Sequence, residues 1–564
     1  MPNNYTAIAI GPVYKTMAQA RKTRHLWGAS YLFSYIMKQL IKKLLESKVV
    51  TENDILLPHS TEALRNGTKF YGTGLFPDRL FIQVTDTDKA ESEIESISQK
   101  IIEEITVKAG NEFAAYFEAY FRIYYANYSL PDENIKIFPK EADNSNIVMV
   151  GNKLLDLMEL KEKYHNDISQ VDWQKIIDKL NGKGLLYKDA FGNVKDDYQF
   201  PYLLEIATDD FRKRNKAVHE DLVKQFLGEE TEDEQETFLK ALDKKSREED
   251  NPFGSVRLKA YHKYIAVVQA DGDNIGKTIG NIGNDPQGLK NFSEALGAFA
   301  IAATQEIKDY GGKPVYVGGD DLLFFAPVAV NNNENSLETI FGLINKIDKI
   351  FKEKVIESDK LRKIYEPQHG SNDPVVSKPS LSYGVSVTYT KYPLNEARDS
   401  AYHLMKEAKA IKDDKNKICF KILKHSGQGL GFTIEKKMFT GDSKHPKSFD
   451  TFLSMTTRIP LEKHTLASVI YKLHPVRHLI NEVASDKARL SALFENTFNE
   501  PVHKEGKVGA YLKKIEAFIH QLYVDFKDDI EPLPDYETET RKSNLQKIYS
   551  TLRFVKFVTD DINE

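Results

Sequence analysis

The chain has 564 residues, of which 41% are hydrophobic and 29% charged, and its formal net charge is −5. That length allows several domains with cores of their own, and that composition excludes a disordered chain. The slightly acidic balance leaves no global basic footprint, so bulk electrostatics do not make the chain an autonomous nucleic-acid binder. In chain order, Tyr5 to Ile10 reads as a first strand. Arg21-Lys22-Thr23-Arg24 places a short basic cluster on a helix, more simply a solvated face or subunit contact than an RNA site. Arg79 to Val84 is a second strand, and the Asp86-Thr87-Asp88 that follows is expected to be a loop, since its own domain holds no partner Gly-Gly-Asp-Asp. The stretch from Gly228 to Asp250 is densely charged and reads as a solvated helix or linker.

The next strand, Tyr264 to Ala270, ends in Asp271-Gly272-Asp273. Phe292, Leu296, Phe299, Ala300, Ala303 and Ile307 then recur at helical spacing, and Gly311-Gly312 is a stop signal. Two short strands follow, Pro314 to Val317 and Leu322 to Phe325, with Gly318-Gly319-Asp320-Asp321 between them. Leu337, Ile340, Phe341, Ile344, Ile347 and Phe351 mark another amphipathic helix, and Leu381 to Thr390 a β-rich strand. A further helix carries Ala397, Ala401, Leu404, Met405 and Ala408 on one face, and Ile418 to Leu423 is the last strand. The lone cysteine, Cys419, lies in that strand, where it excludes disulfides and points to a reducing compartment. Gly427-Gln428-Gly429-Leu430-Gly431 does not open a helix after a strand, so it is expected to be a loop and no dinucleotide site. From about residue 446 onward only helical patterns appear, suggesting a bundle. No basic leader and no run of membrane-spanning length is present, so a cytoplasmic location without a membrane partner is expected.

The order β-α-β-β-α-β around the tetrad is ferredoxin-like, and it brings the first strand end and the hairpin tip together. Asp271, Asp273, Asp320 and Asp321 would then converge. Paired carboxylate clusters suit a site holding two hard cations about 3.5–4 Å apart, which clamp the attacking and leaving oxygens of an in-line displacement. Mg²⁺ takes oxygen ligands, usually one or two carboxylates plus substrate phosphates. Gly318, Gly319 and Gly272 lack side chains and let a nucleotide approach the backbone. A Gly-Gly-Asp-Asp turn is also an ordinary hairpin with no chemistry. The upstream Asp-Gly-Asp is what favours the site.

YIAVVQADGDNIGK together with YVGGDDLLFF resembles the palm of diguanylate cyclases, class III adenylyl cyclases and the large subunit of type III CRISPR effector complexes. Ala20-Arg21-Lys22-Thr23-Arg24 with Leu26-Trp27 and Ser30-Tyr31-Leu32 is similar to the opening of the Cmr-type (III-B) large subunit. Weaker matches are Gly74 to Arg79, Phe200-Pro201 with Glu205 to Ala207, and Glu407 to Lys409 with Lys415 to Lys417. The resemblance implies an α+β fold: two ferredoxin-like, nucleotidyl cyclase-like palm domains with helical insertions and a C-terminal helical bundle. The expected domains are 1–207, a first, degenerate palm with a helical insertion; 208–257, a charged helical linker; 258–425, the catalytic palm; and 426–564, helical.

It further implies a Mg²⁺- or Mn²⁺-dependent nucleotidyltransferase that converts ATP to linear or cyclic oligoadenylate when the complex meets its target RNA. Asp271, Asp320 and Asp321 would hold two ions, with Asp273 auxiliary. Lys409, Lys415 and Lys277 would neutralise the triphosphate. Partners would be the other Cmr subunits, guide RNA and target RNA. Alternatives are AMP transfer to another adenosine-bearing acceptor such as S-adenosylmethionine, a non-catalytic scaffold, and a stand-alone dinucleotide cyclase. Two departures narrow the reading. No histidine is followed by Asp, so the nuclease dyad of many relatives is missing and no DNA cleavage is expected. One cysteine cannot build a zinc ribbon, so no zinc is expected.

Overall fold

The computed structural model describes residues 3–67, 71–130, 146–182 except 163–170, 184–193, 199–228, 231–333, 336–365, 378–410, 415–424, 429–436, 447–457, 459, 463–504, 506–526 and 543–561. The N-terminal sheet has four strands, β1 (Asn3–Gly11), β2 (Ile55–Leu57), β3 (Arg79–Val84) and β4 (Arg122–Leu130), in the order β2-β3-β1-β4. Its pairs are antiparallel, with Ala9 opposite Arg79 and Asn4 opposite Val84. The two-residue period of β1 divides its side chains between two cores. Ile8 and Ile10 meet Leu26, Leu32 and Ile36 of the helix Thr23–Glu46, while Tyr5, Ala7 and Ala9 join Ile147, Val148 and Leu155 of the helix Ile147–Glu162.

The second sheet uses the same plan on a larger scale. Its strands are β5 (Tyr264–Asp273), β6 (Lys313–Gly318), β7 (Asp321–Pro327), β10 (Ser380–Tyr389), β11 (Lys417–Leu423) and β12 (Gly429–Glu435), in the order β12-β11-β10-β5-β7-β6; the small hairpin β8 (Ala329–Asn333) and β9 (Ser336–Thr339) stands apart. Ala266, Val268 and Ala270 face the core built by Phe292, Leu296 and Phe299 of the helix Pro286–Tyr310 and by the helix Ile340–Phe351. Ile265 and Val267 face the other way, toward Leu394, Ala397 and Ala401 of the helix Leu394–Ala408. That helix lies close to the sheet at Gly384, where a Cβ would collide with its backbone at Ala401 and Met405.

The two sheets share contacts. Gly74 forms an isolated parallel bridge with Tyr316, and its carbonyl accepts from Val317 N at 3.0 Å. Asn146 Nδ2 donates to Ile279 O at 2.9 Å and Gly283 O at 2.7 Å, which ties the start of the helix Ile147–Glu162 to the second sheet's domain. Helices fill residues 447–526 and 543–559 among the described positions, as the sequence suggested. No described helix is long and apolar enough to cross a membrane. Cys419 is buried beside Thr433.

Four expectations change. Asp86 caps the helix Thr87–Ala109, its side chain accepting from Lys89 N at 3.0 Å, because a carboxylate satisfies an orphan first-turn donor better than a loop would. The charged stretch forms a helix as expected, Glu232–Arg247, opened by a Thr231/Glu234 capping box, but one face is not solvated: it buries Phe238, Leu239 and Leu242 against Leu204, Phe211 and Leu222. Leu337 belongs to β9, and its helix begins only at Ile340. Gly429 to Gly431 lie in β12, paired with β11, so the palm sheet runs past the expected boundary at 425; residues 427 and 428 fall outside the described residues.

Candidate metal and nucleotide site

β5 and the β6–β7 hairpin end at the same edge of the second sheet. The β5–β7 register pairs Ala270 with Leu322, and its continuation sets Asp271 across from Asp321 and Gly272 across from Asp320. Gly318 pairs with Asp321, which leaves Gly319-Asp320 as a two-residue turn. Gly319 has φ of 71°, a positive value at the first central position that glycine adopts without steric cost. A Cβ on Gly272 would collide with the Asp320 carboxylate, so the glycine makes room for that acid. A Cβ on Gly318 would strike the ring and hydroxyl of Tyr316. The result is a trio: carboxylate oxygens of Asp271, Asp320 and Asp321 lie within 4.8 Å of one another.

The electrostatics follow from this crowding. Loss of solvation, and then the charge of Asp271, push Asp320 up to about 6. Loss of solvation and the charges of Asp320 and Asp271 hold Asp321 well above the usual carboxylate range, although the outer side of its side chain remains exposed. Lys409, the residue that ends the helix Leu394–Ala408, opposes both shifts. Its ammonium pairs with the Asp271 carboxylate and donates to Gly272 O at 2.7 Å. Three acids facing one lysine form an electron-rich pocket of hard oxygen donors, which suits a divalent cation such as Mg²⁺ or Mn²⁺.

Asp273 stands outside this trio. It is fully buried, and its Oδ2 accepts from Ser380 Oγ at 2.8 Å, Ser382 Oγ at 2.7 Å and Asn416 N at 3.0 Å. The register opposite β10 explains the capture, since Ser380 is its direct partner. Asp273 thus anchors the end of β5 against β10 and the start of β11, and the auxiliary ligand expected from the sequence is a positioning residue here. Lys277 lies exposed on the helix Ile275–Ile282, and Lys415 lies half-buried one residue before Asn416. Neither belongs to the trio.

Ser380, Ser382 and Asn416 were not expected. Nor was the buried pair behind them: Lys436 Nζ lies 2.8 and 2.7 Å from the two Asp348 oxygens, and Tyr383 OH donates to Asp348 at 3.0 Å. Burial raises the Asp348 carboxyl and lowers the Lys436 ammonium, each against the attraction of the other. The alternating serines at the start of the strand near residue 380 were the available signal. Lys436 carried none, because only folding brings it to Asp348.

Two family models match the chain. The model of the Cas10/Cmr2 second palm domain covers residues 264–419, and that of the N-terminal region of CRISPR-associated protein Cmr2 covers residues 5–110. The CRISPR system Cmr subunit Cmr2 of Pyrococcus furiosus is 24% identical over 283 residues, 45% of this chain. The chain spans 28% of that relative's length. The type III-B Cmr-beta structure in the apo state superimposes with a TM-score of 0.56 at 12% identity, covering 98% of this chain and 81% of that one, a likeness of fold. A Csm1–Csm4 cassette in complex with pppApA follows with a TM-score of 0.46 at 12% identity, over 99% of this chain and 69% of that one.

Proposed function

We propose that this chain, which carries the N-terminal and second palm domains of the Cas10/Cmr2 large subunits of type III CRISPR effector complexes, is a nucleotidyltransferase acting on ATP within such a complex. The observation that supports this reading most is the Asp271, Asp320 and Asp321 trio at the tip of the second palm. Asp271, Asp320 and Asp321 would hold the divalent ions, which when bound supply positive charge for the triphosphate and acidify an acceptor hydroxyl. The rest falls to side chains and backbone already in place. Gly319, whose missing Cβ would meet nothing nearer than Leu296 at 3.9 Å, would leave room for the triphosphate against the backbone of the turn. Lys409 balances the charge of Asp271 and lies where a polyphosphate would arrive. Asp273, gripped by Ser380, Ser382 and Asn416, keeps Asp271 in position.

In the reaction, a ribose hydroxyl oxygen of one ATP forms a bond to the α-phosphorus of another. The α–β phosphoanhydride bond breaks, pyrophosphate leaves with the electron pair, and the hydroxyl proton passes to solvent. The product is a linear or, on closure, cyclic oligoadenylate. No described residue at the site favours S-adenosylmethionine as the acceptor. The partners of this reading are the other Cmr subunits with their guide and target RNA.

The test is pyrophosphate release from ATP by the RNA-activated complex, with the wild-type chain and with Asp320→Asn/Asp321→Asn. Loss of turnover in a complex that still assembles and binds RNA is the expected result. Undiminished turnover would leave the scaffold reading, and full turnover by the isolated wild-type chain would favour a stand-alone cyclase.

A further inference from the structure

Away from the acidic site, cations gather where the end of β11 meets the C-terminal helices. Tyr549, Arg553 and Lys556 follow one another at i, i+4 and i+7 on the helix Asn544–Thr559 and so share one face. Tyr549 OH donates to Leu473 O at 2.9 Å, and its ring lies 6.1 Å from that of His474, which joins this face to the corner between the helices Lys463–Leu473 and Arg477–Val483. Arg477 Nη1 donates to His474 O at 3.0 Å. Burial pushes the Tyr549 phenol up to about 12, while the charges of Arg477 and Arg553 pull it down from either side. At the other end, Lys424 lies over the Phe557 ring at 6.0 Å; burial lowers its ammonium, Asp560 opposes that, and Lys556 and Arg553 add to it as like charges.

Lys424, Arg553, Arg477 and His474 therefore lie along one stripe on a chain whose net charge is −5. The nearby acids are engaged: Asp560 is held by Lys556 at 3.1 Å and Glu500 by Lys472 at 2.6 Å. Glu482 lies on the helix beyond Arg477. One turn before the corner, Tyr471 on the helix Lys463–Leu473 is 79% exposed, and Arg477 and His478 at the start of the next helix are exposed as well. Among the described residues of this corner the large exposed apolar side chains are Tyr471 and Leu479, too little for a hydrophobic protein interface. A run of cations with an open aromatic ring on the same helical corner matches what a polyanion with stackable bases requires.

We infer that this stripe binds a single-stranded nucleic acid, with phosphates along Lys424, Arg553 and Arg477 and a base stacked on Tyr471. Such a contact adds a surface to the chain that the acidic site does not use, and it stands whether or not the nucleotidyl-transfer reading holds.

The test is fluorescence anisotropy of a labelled oligouridylate with the full chain over a range of salt concentrations. Lys424→Gln/Arg477→Gln/Arg553→Gln should lower the slope of log K against log salt by roughly 2, at about 0.7 per phosphate contact for a single strand. Tyr471→Ala should weaken binding roughly 5- to 100-fold while leaving that slope in place. A control triple of exposed lysines elsewhere, Lys100→Gln/Lys108→Gln/Lys175→Gln, should leave both unchanged. If the first triple does not fold, Arg477→Gln alone is read, with about a third of the slope change. The inference is overturned if the control lowers the slope equally, if the stripe variants bind as wild type, or if they lose only a co-purifying protein.

Discussion

The two palms share one strand order and differ in what stands at its edge. Read from the fourth strand, both run fourth, first, third, second: β4-β1-β3-β2 in the first palm and β10-β5-β7-β6 in the second. In the second, the first strand ends in Asp271-Gly272-Asp273, and the hairpin joining its second and third strands closes through Gly319-Asp320. In the first, β1 ends in Ile10-Gly11 and meets Pro12, while the connection from β2 to β3 is the long stretch 58–78. Among its described residues that stretch forms no acidic tip. It reaches across to β6, where Gly74 pairs with Tyr316 close to the Gly-Gly-Asp-Asp turn. One copy presents carboxylates and the other buttresses β6, the strand that leads into their turn. The fold alone therefore confers no chemistry; in the proposed reading the few residues at one strand end and one turn would do so.

The sharpest way to break this contrast is to remove the acids. Asp320→Ala/Asp321→Ala should lower ATP turnover by at least roughly 10²–10³-fold, the order lost when one transition-state electrostatic contact is removed. The melting temperature should hold or rise, because like-charge repulsion at the tip is relieved. Gly272→Ala keeps every carboxylate but forces Asp320 aside. It should cost about 10²-fold in turnover, the scale of a misplacement near 1 Å.

Smaller effects sharpen the same contrast through stability. Asp348→Ala leaves Lys436 charged and buried and should cost about 3–5 kcal/mol in chemical denaturation. Asp86→Ala in the first palm removes only a helix cap. It should cost about 1 kcal/mol and leave turnover unchanged, since Asp86 follows Val84, which pairs with Asn4 at the end of the sheet opposite Gly11.

The smallest effect is a pH slope. Asp320, raised to about 6 by loss of solvation and by Asp271, binds its proton more tightly in the folded than in the unfolded chain. Metal-free stability should therefore fall as pH rises from about 4 to about 6. Asp320→Asn should flatten that slope, as read by thermal unfolding in chelator.

Much of this arrangement was legible in the sequence, because local patterns carry it. The β-α-β-β-α-β order, the strand bounds near Tyr264 and Arg79, and the approach of Asp271 to Asp320 and Asp321 all follow from periodicity and turn chemistry. What was hidden depends on partners distant in the chain. Asp273 shares the alternation of Asp271, and only the register opposite Ser380 and Ser382 removes it from the trio. The β8–β9 hairpin is built around Asn331 to Asn333, residues typical of loops, so its strands were masked by composition. The apolar stripe Phe238, Leu239 and Leu242 was concealed by the charges on the exposed faces of its helix.

The central proposal, that the second palm's trio would hold a divalent cation while the described residues of the first palm offer no such cluster, is tested most directly by Mn²⁺ binding to the purified chain, followed by electron paramagnetic resonance. The wild-type chain should bind Mn²⁺, Asp320→Asn/Asp321→Asn should lose that binding, and Asp86→Asn should keep it. Binding that survives in the double variant would contradict the account.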